Sequence, residues 1–174
     1  QRVSWALESL AGEHALTSSF GAQSAVLLHM LTQQRANLPV ILIDTGYLFP
    51  ETYRFVDELQ TRLDLNLKIY TPQVSSAWNV ARNGSLWESG AEGIQRYNQI
   101  HKVEPMQRAL KELKVRTWFA GLRRSQSSTR AQIDFLELRD GRWKIHQLAD
   151  WTDRDIWNYL QKHDLPYNPL WHQG

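Results

Sequence analysis

The chain has 174 residues, of which 42% are hydrophobic and 22% charged, which is the composition of one folded domain rather than of a disordered segment. Its 20 basic and 18 acidic residues leave a formal charge of +2, too small to favour a nucleic acid or an anionic membrane as partner. The absence of cysteine excludes disulfides and thiolate chemistry within these residues. No apolar run reaches the roughly 20 residues that span a bilayer. We therefore expect one cytoplasmic domain over residues 1–174.

The first half of the chain alternates between short apolar runs and amphipathic segments. The continuous apolar run at 40–43 is typical of a buried parallel strand. After Pro50, the residues Tyr53, Val56, Leu59 and Leu63 recur at helical spacing and indicate a helix. Strands that alternate with helices predict a parallel α/β sheet. The expected elements are strands at 15–16, 40–43 and 65–69 and helices at 25–31 and 50–63.

The second half predicts more helix, one further parallel strand and a hairpin. The helical segment at 75–113 is interrupted by glycines, and Trp78 and Trp87 are expected to pack within it. Asp140-Gly141 lies between two apolar runs and is a strong hairpin signal, so we expect an antiparallel appendage to the sheet. The expected elements are helices at 75–113 and 156–162 and strands at 117–120, 136–138 and 143–145.

A loop of small residues joins the first expected strand to the first expected helix. The N-terminus of a helix offers unpaired backbone N–H groups and a partial positive charge to an anion, and glycine lets the backbone approach that anion closely. Taken alone, the loop is explained better by an ordinary turn with a serine cap, because one glycine among serines is a weak motif. The candidate phosphate contacts in this loop are Ser18, Ser19, Phe20, Gly21, Gln23 and Ser24.

Two further polar clusters follow expected strands, at the edge where open parallel sheets bind ligands. The turn at 44–46 offers an acid, a hydroxyl and a flexible glycine to a nucleoside, although an Asx turn also explains it. The loop at 121–124 carries paired guanidinium groups, which suit phosphate or sulfate, although a solvated basic loop explains it too. Three clusters at three strand ends favour one shared site. The candidates here are Asp44, Thr45, Gly46, Gly121, Arg123 and Arg124.

Lys102 precedes Pro105, which fits the first turn of a helix. A lysine at that place is electrostatically unfavourable unless an anion lies between it and the helix N-terminus. A solvated surface lysine is the simpler alternative. We keep Lys102 as a candidate anion contact.

The sequence predicts no metal site. The six histidines lack the spacing of metal ligands. Asp150, Asp153 and Asp155 are better explained as acids at the start of a helix than as ligands.

Five motifs, in their order and spacing, resemble the 3′-phosphoadenylyl sulfate (PAPS) reductases of assimilatory sulfate reduction over essentially the whole chain. The resemblance implies a three-layer α/β/α fold like that of the PP-loop ATP pyrophosphatases, with a mostly parallel central sheet. It also implies reduction of PAPS to sulfite and adenosine 3′,5′-bisphosphate, with thioredoxin or glutaredoxin as electron donor, and a possible homodimer. The motifs are SSFGAQS, IDTGYLFPETYRF, YNQIHKVEPM, GLRRSQS and LADWTDRDIWNYLQKHDLPYNPLW.

The resemblance also implies narrower roles for the candidate residues. Residues 18–24 occupy the position of a modified PP-loop, and residues 44–46 that of the neighbouring nucleotide-binding turn. Lys102, Arg123 and Arg124 fall where the family places cationic contacts to the ligand anions. Gln23 stands where ATP pyrophosphatases of this fold usually carry aspartate, which disfavours ATP cleavage.

Two departures from related patterns limit the prediction. The stretch at 97–100 lacks the cysteine pair with which adenylyl sulfate reductases ligate a [4Fe–4S] cluster, so we expect a PAPS-type enzyme without a cluster or other cofactor. The family's nucleophile lies in a Glu-Cys-Gly-(Ile/Leu)-His motif, which we expect beyond Gly174, with further sequence before Gln1 as well. The alternatives are an adenylyl sulfate reductase, a PP-loop ATP pyrophosphatase or adenylyltransferase, and a non-catalytic nucleotide-binding module.

Overall fold

Six strands form one sheet in the computed structural model, which describes residues 2–170. The strands are β1 (Glu13–Thr17), β2 (Pro39–Ile43), β3 (Asn66–Tyr70), β4 (Val115–Ala120), β5 (Leu136–Arg139) and β6 (Arg142–Ile145). Their order across the sheet is β3-β2-β1-β4-β6-β5, and every neighbouring pair is parallel except β5 and β6.

The helices fall between the strands as the apolar periodicity predicts. They are α1 (Arg2–Ser9), α2 (Ser24–Thr32), α3 (Pro50–Leu63), α4 (Ser76–Asn83), α5 (Gly90–Asn98), α6 (Glu104–Glu112) and α7 (Asp153–Lys162). A π-helical turn at Gln99–Val103 joins α5 to α6 without a break. Shorter 3-10 turns lie at Leu86–Glu88, Arg124–Gln126 and Ser128–Arg130.

The sheet has a hydrophobic core on each face. Successive side chains of a strand point to opposite faces, and in β2 Val40 and Leu42 accordingly pack in one core while Ile41 packs in the other. Helices α1, α2, α3 and α7 bury residues in the first core, and α6 buries Ala109 and Leu110 in the second. The predicted three-layer α/β/α fold with a mostly parallel sheet is thereby confirmed.

The predicted hairpin forms, but it is not an appendage. Asp140 and Gly141 have φ values of 50° and 70°, as a two-residue type I′ turn requires. Strand β6 also pairs in parallel with β4, so the hairpin extends the central sheet. The reason is packing: Ile145 is fully buried in the core, which holds β6 against β4.

The tryptophans predicted to pack in the helical segment are exposed. Trp78 instead lies under the guanidinium of Arg82, 4.3 Å from its ring centroid. Trp87 contacts the rings of Tyr47 and Tyr97 edge-on, with centroids 5.2 and 6.1 Å apart. The apolar spacing of this segment therefore predicts its helices and the burial of Leu86, but not the exposure of the two tryptophans.

Candidate functional site

The strand order reverses direction between β1 and β4. The chain runs from β1 through α2 to β2 on one side, then crosses from β3 to β4 on the other side of β1. In open α/β sheets, ligands bind in the crevice that such a switch point opens at the carboxyl ends of the strands. The loops at 18–23 and 121–123 flank this crevice, and the turn at 44–46 follows the neighbouring strand β2. The three predicted clusters therefore share one edge of the sheet.

The loop after β1 is shaped by its own hydrogen bonds. Phe20 is buried with a φ of 51°, and its N–H donates to Ser18 Oγ at 3.1 Å. Both the N–H and the hydroxyl of Ser24 donate to the Gly21 carbonyl, at 3.1 and 2.9 Å. Helix α2 begins at Ser24 without a side-chain cap from Gln23. A serine-capped turn does not describe this loop, because the serine hydroxyl bonds a carbonyl rather than a helix N–H.

Arg123 is the most enclosed cation of the site, with a side chain only 4% exposed. Its Nη2 donates to Asp153 Oδ1 at 2.7 Å and to Gln23 Oε1. Its Nη1 donates to Ser125 Oγ at 3.1 Å and to the Trp151 carbonyl at 3.2 Å. Gln23 Nε2 completes a triangle by donating to Asp153 Oδ1 at 3.3 Å. The hydrogen bond from Arg123, and then that from Gln23, lowers the pKa of Asp153.

Arg124 contacts other partners than Arg123 does. Its Nε donates to the Ile133 carbonyl at 2.8 Å, and its Nη1 forms an ion pair with Asp150, which also pairs with Arg2 at 2.9 Å. Among the contacts described for residues 2–170, none joins Arg124 to another predicted site residue. The adjacent arginines therefore have different surroundings, although the sequence treats them as a pair.

The turn after β2 is an Asx turn fixed by a tyrosine. Asp44 Oδ1 accepts hydrogen bonds from the Gly46 N–H at 2.8 Å and from Tyr53 Oη at 2.7 Å. Burial, together with the hydrogen bond to Asp44, raises the pKa of Tyr53 to about 12. Helix α3 turns Thr52 and Phe55 inward, whereas Tyr53 is exposed and contacts Asp44.

His101, the residue before Lys102, contacts the turn at 44–46. His101 is buried, and its Nδ1 lies 3.1 Å from the Thr45 carbonyl, to which the ring N–H donates. Burial lowers the pKa of His101, so the imidazole is neutral near pH 7. Lys102 is exposed, with Nζ 5.7 Å from the centroid of the Tyr97 ring.

Lys102 does not lie at a free helix N-terminus, contrary to the sequence prediction. Val103 has helical dihedrals of −71° and −51°, so α6 continues the π-helical turn instead of starting anew. Such turns arise where one extra residue is inserted into a helix, often at a functional site. The π-helical turn carries both Lys102 and His101, whose ring contacts the Thr45 carbonyl.

Burial separates the predicted residues into a framework and a surface that a ligand can reach. The fully buried members, which can only support the site unless something moves, are Phe20, Thr45 and Arg123. The exposed members are Ser19, Gly21, Gly46, Lys102 and Gly121. The half-buried members are Ser18, Gln23, Ser24, Asp44 and Arg124.

Two residues that the sequence does not predict in the site support the loop after β1. An acid at the position of Asp153 is expected from the start of α7 alone, so the local sequence does not indicate its contact with Arg123. Asn168 is buried, and its Nδ2 donates to the Phe20 carbonyl at 3.1 Å and to Thr52 Oγ1 at 3.4 Å. Nothing in the local sequence around Asn168 indicates this long-range role.

Within residues 2–170, no three His, Asp or Glu side chains gather closely enough to hold a metal ion. No helix in this part of the chain combines the length and the apolar character needed to cross a membrane.

Gly46→Ala is expected to destabilise the protein by about 2–3 kcal/mol, because it combines backbone strain with a collision. Gly46 has a φ of 77°, and an added Cβ would overlap Ser76 Oγ. Gly141→Ala is a matched control, since its φ is 70° but its Cβ would meet open space. Urea denaturation should give a loss of about 1 kcal/mol for the control. Equal losses for the two variants would show that the turn at 44–46 has room for a side chain.

Solved structures with this fold include nucleotide enzymes. A crystal structure of phosphoadenylyl-sulfate (PAPS) reductase from Candida auris, in a phosphate complex, has a TM-score of 0.84 and 31% identity and covers 99% of this chain and 83% of that chain. FMN adenylyltransferase from Candida glabrata has a TM-score of 0.61 at 17% identity, covering 94% of this chain and 51% of that chain. The second likeness shows the shared fold alone.

Sequence comparisons give the family. The model of the phosphoadenosine phosphosulfate reductase domain matches residues 13–174. Phosphoadenosine 5′-phosphosulfate reductase of Xylella fastidiosa strain 9a5c is 64% identical over 173 residues, which are 99% of this chain and 73% of that protein. The protein of the same name from Xanthomonas euvesicatoria pv. vesicatoria strain 85-10 is 66% identical over 174 residues, which are 100% of this chain and 72% of that protein. This chain belongs to the phosphoadenosine phosphosulfate reductase family.

Proposed function

We propose that this chain binds PAPS and takes part in its reduction to sulfite and adenosine 3′,5′-bisphosphate, with thioredoxin or glutaredoxin as electron donor. One observation carries the proposal: Gln23 and Arg123 are in direct contact, which joins the loop after β1 to the loop after β4 across the switch point. The relatives at 64% and 66% identity, both named as reductases of this substrate, support it. A homodimer and a cytoplasmic location are further expectations from the family.

Different residues of the site contact different parts of the ligand in this proposal. The loop at 18–24 faces a phosphate with its backbone N–H groups and the N-terminus of α2. The turn at 44–46 lies beside it and suits the nucleoside. Lys102 and Arg123 supply positive charge at the same edge, and Arg124 is a further candidate. Gln23 replaces a carboxylate in this loop with a neutral amide, which is compatible with an anionic ligand and disfavours the magnesium-dependent cleavage of ATP.

The reduction moves the sulfonate group of PAPS onto a cysteine thiolate, and a donor thiol then displaces it as sulfite. A cysteine thiolate attacks the sulfur of PAPS, so that an S–S bond forms, the S–O bond to the phosphate breaks, and the electron pair leaves with adenosine 3′,5′-bisphosphate. A donor thiolate then attacks the cysteine sulfur and releases sulfite. These 174 residues contain no cysteine. Their part in the proposal is therefore to orient PAPS and to stabilise the charge that develops on the leaving phosphate.

No cofactor enters the proposal. Thiols supply both electrons, and residues 97–100 carry none of the cysteines that would ligate an iron–sulfur cluster in an adenylyl sulfate reductase.

Isothermal titration with adenosine 3′,5′-bisphosphate and with AMP tests the proposal. We expect the bisphosphate to bind about tenfold or more tightly, because its additional phosphate meets a site rich in guanidinium and ammonium groups. Equal affinity for the two nucleotides would contradict selectivity for the 3′-phosphate. Release of pyrophosphate from ATP would instead favour an adenylyltransferase or a pyrophosphatase of the same fold.

A further inference from the structure

The guanidinium of Arg123 already has an anionic partner inside the protein. Asp153 Oδ1 lies 2.7 Å from Nη2 of Arg123 and 3.3 Å from Nε2 of Gln23, so one carboxylate oxygen accepts from both residues. An oxygen of a phosphate or sulfate group has the same charge character and the same capacity to accept two hydrogen bonds. Asp153 thus makes the contacts that an oxyanion of the ligand would make at this point of the crevice.

The two members of this ion pair are buried very differently. The side chain of Arg123 is 4% exposed, whereas that of Asp153 is 75% exposed. A carboxylate that is largely in water gives up only a weak, solvent-screened attraction when it swings away, and its solvation increases. The free-energy cost falls on the guanidinium, which stays buried without an anion. Asp153 can therefore leave Arg123 easily only when another anion takes its place.

The departure of Asp153 would free two donors at one point. Both Nη2 of Arg123 and Nε2 of Gln23 point at the same carboxylate oxygen. The remaining contacts of Arg123, to Ser125 Oγ, to the Trp151 carbonyl and to Gln23 Oε1, do not involve Asp153 and keep the guanidinium in position. A ligand oxygen arriving there would recover both hydrogen bonds without a rearrangement of the arginine.

We propose that Asp153 is an intramolecular competitor for Arg123, displaced by an oxyanion of the bound nucleotide, and that it thereby lowers the affinity of the site. This inference rests on the proposed function, since it concerns the same site. The competition lets bound product leave more readily, because the carboxylate is next to the cation that the product must release.

Helix α7 does not depend on Asp153 for its start. The Thr152 N–H donates to Asp155 Oδ2 at 2.8 Å, and the Asp155 N–H donates to Thr152 Oγ1 at 3.2 Å. This capping box satisfies the first turn independently. Asp153 can therefore be replaced without removing the cap of the helix.

Asp153→Asn tests the competition, because it removes the charge and keeps the shape. We expect the variant to bind adenosine 3′,5′-bisphosphate about tenfold more tightly in isothermal titration, with Asp153→Ala changing the affinity in the same direction. Asp164→Asn is the matched control: Asp164 is an exposed acid paired with Arg62 at 3.0 Å just beyond the other end of α7, and its replacement changes the net charge equally. The control should stay within about twofold of the wild type.

Affinity that is unchanged or weaker in both Asp153 variants overturns the competition and makes Asp153 a positioning residue for Arg123. That outcome leaves the proposed function intact as long as the wild type binds the bisphosphate. If the wild type binds no bisphosphate, the proposed function fails. In that case the wild type and the Asp153 variants are titrated with inorganic pyrophosphate. The proposed competition is overturned unless Asp153→Asn binds pyrophosphate more tightly than the wild type does.

Discussion

Replacing Arg123 with alanine is expected to weaken the binding of adenosine 3′,5′-bisphosphate by about 100-fold or more and to lower the free energy of unfolding by about 2–4 kcal/mol. The substitution removes the charge that the ligand meets and four hydrogen bonds of a side chain that is 4% exposed. It also leaves Oε1 of Gln23 without its donor and the carbonyl of Trp151 with only the long hydrogen bond from Ser125 Oγ at 3.5 Å. Isothermal titration and urea denaturation measure the two effects.

Three further substitutions show whether the effect belongs to this guanidinium. Arg54→Ala removes an exposed arginine paired with Glu51 at 3.6 Å and should cost less than about 0.5 kcal/mol with no change in affinity. Arg123→Lys keeps the charge but not the fork of donors, so it should restore part of the affinity. Arg124→Ala should weaken binding less than Arg123→Ala does. Wild-type affinity in Arg123→Ala would remove this arginine from the site.

The sequence predicts those parts of the fold that are decided within a few consecutive residues. The apolar run at 40–43 and the positive-φ turn at Asp140-Gly141 each act over a few residues, and both lie where the sequence predicts them. The parallel pairing of β6 with β4 depends instead on contacts between two segments that are distant in the sequence. Strand neighbours far apart in sequence leave no local pattern, so only the packing of Ile145 reveals this pairing.

The position of the site is predictable for a geometric reason. Parallel strands end at one edge of the sheet, so polar residues after β1, β2 and β4 must lie near one another once the strands are recognised. The partners of those residues are less predictable. Asp153 has a sufficient local explanation at the start of α7, which hides its contact with Arg123. The π-helical turn around Lys102 does not disturb the helical spacing on either side of it. The sequence therefore predicts the start of a new helix at a place where the helix in fact continues.

Asn168→Asp is expected to destabilise the protein by about 2–4 kcal/mol near neutral pH and to weaken bisphosphate binding by about tenfold. Asn168 is 1% exposed, and its Nδ2 donates to the Phe20 carbonyl at 3.1 Å. A carboxylate of the same shape has no proton to donate and repels that carbonyl. Phe20 has a φ of 51°, so the loop after β1 depends on such outside contacts to hold its backbone. Urea denaturation and isothermal titration measure the two losses.

The pH dependence separates a lost donor from a general loss of packing. Burial raises the pKa of an introduced carboxyl group, so the folded variant gains stability relative to its unfolded state as the pH falls towards the ordinary carboxyl range. The difference in stability from the wild type should therefore shrink at low pH, where the protonated group can donate again. Asn158→Asp, on the exposed face of α7, should cost less than about 0.5 kcal/mol. A loss for Asn168→Asp that does not change with pH would mean that packing, and not the hydrogen bond to Phe20, stabilises the loop after β1.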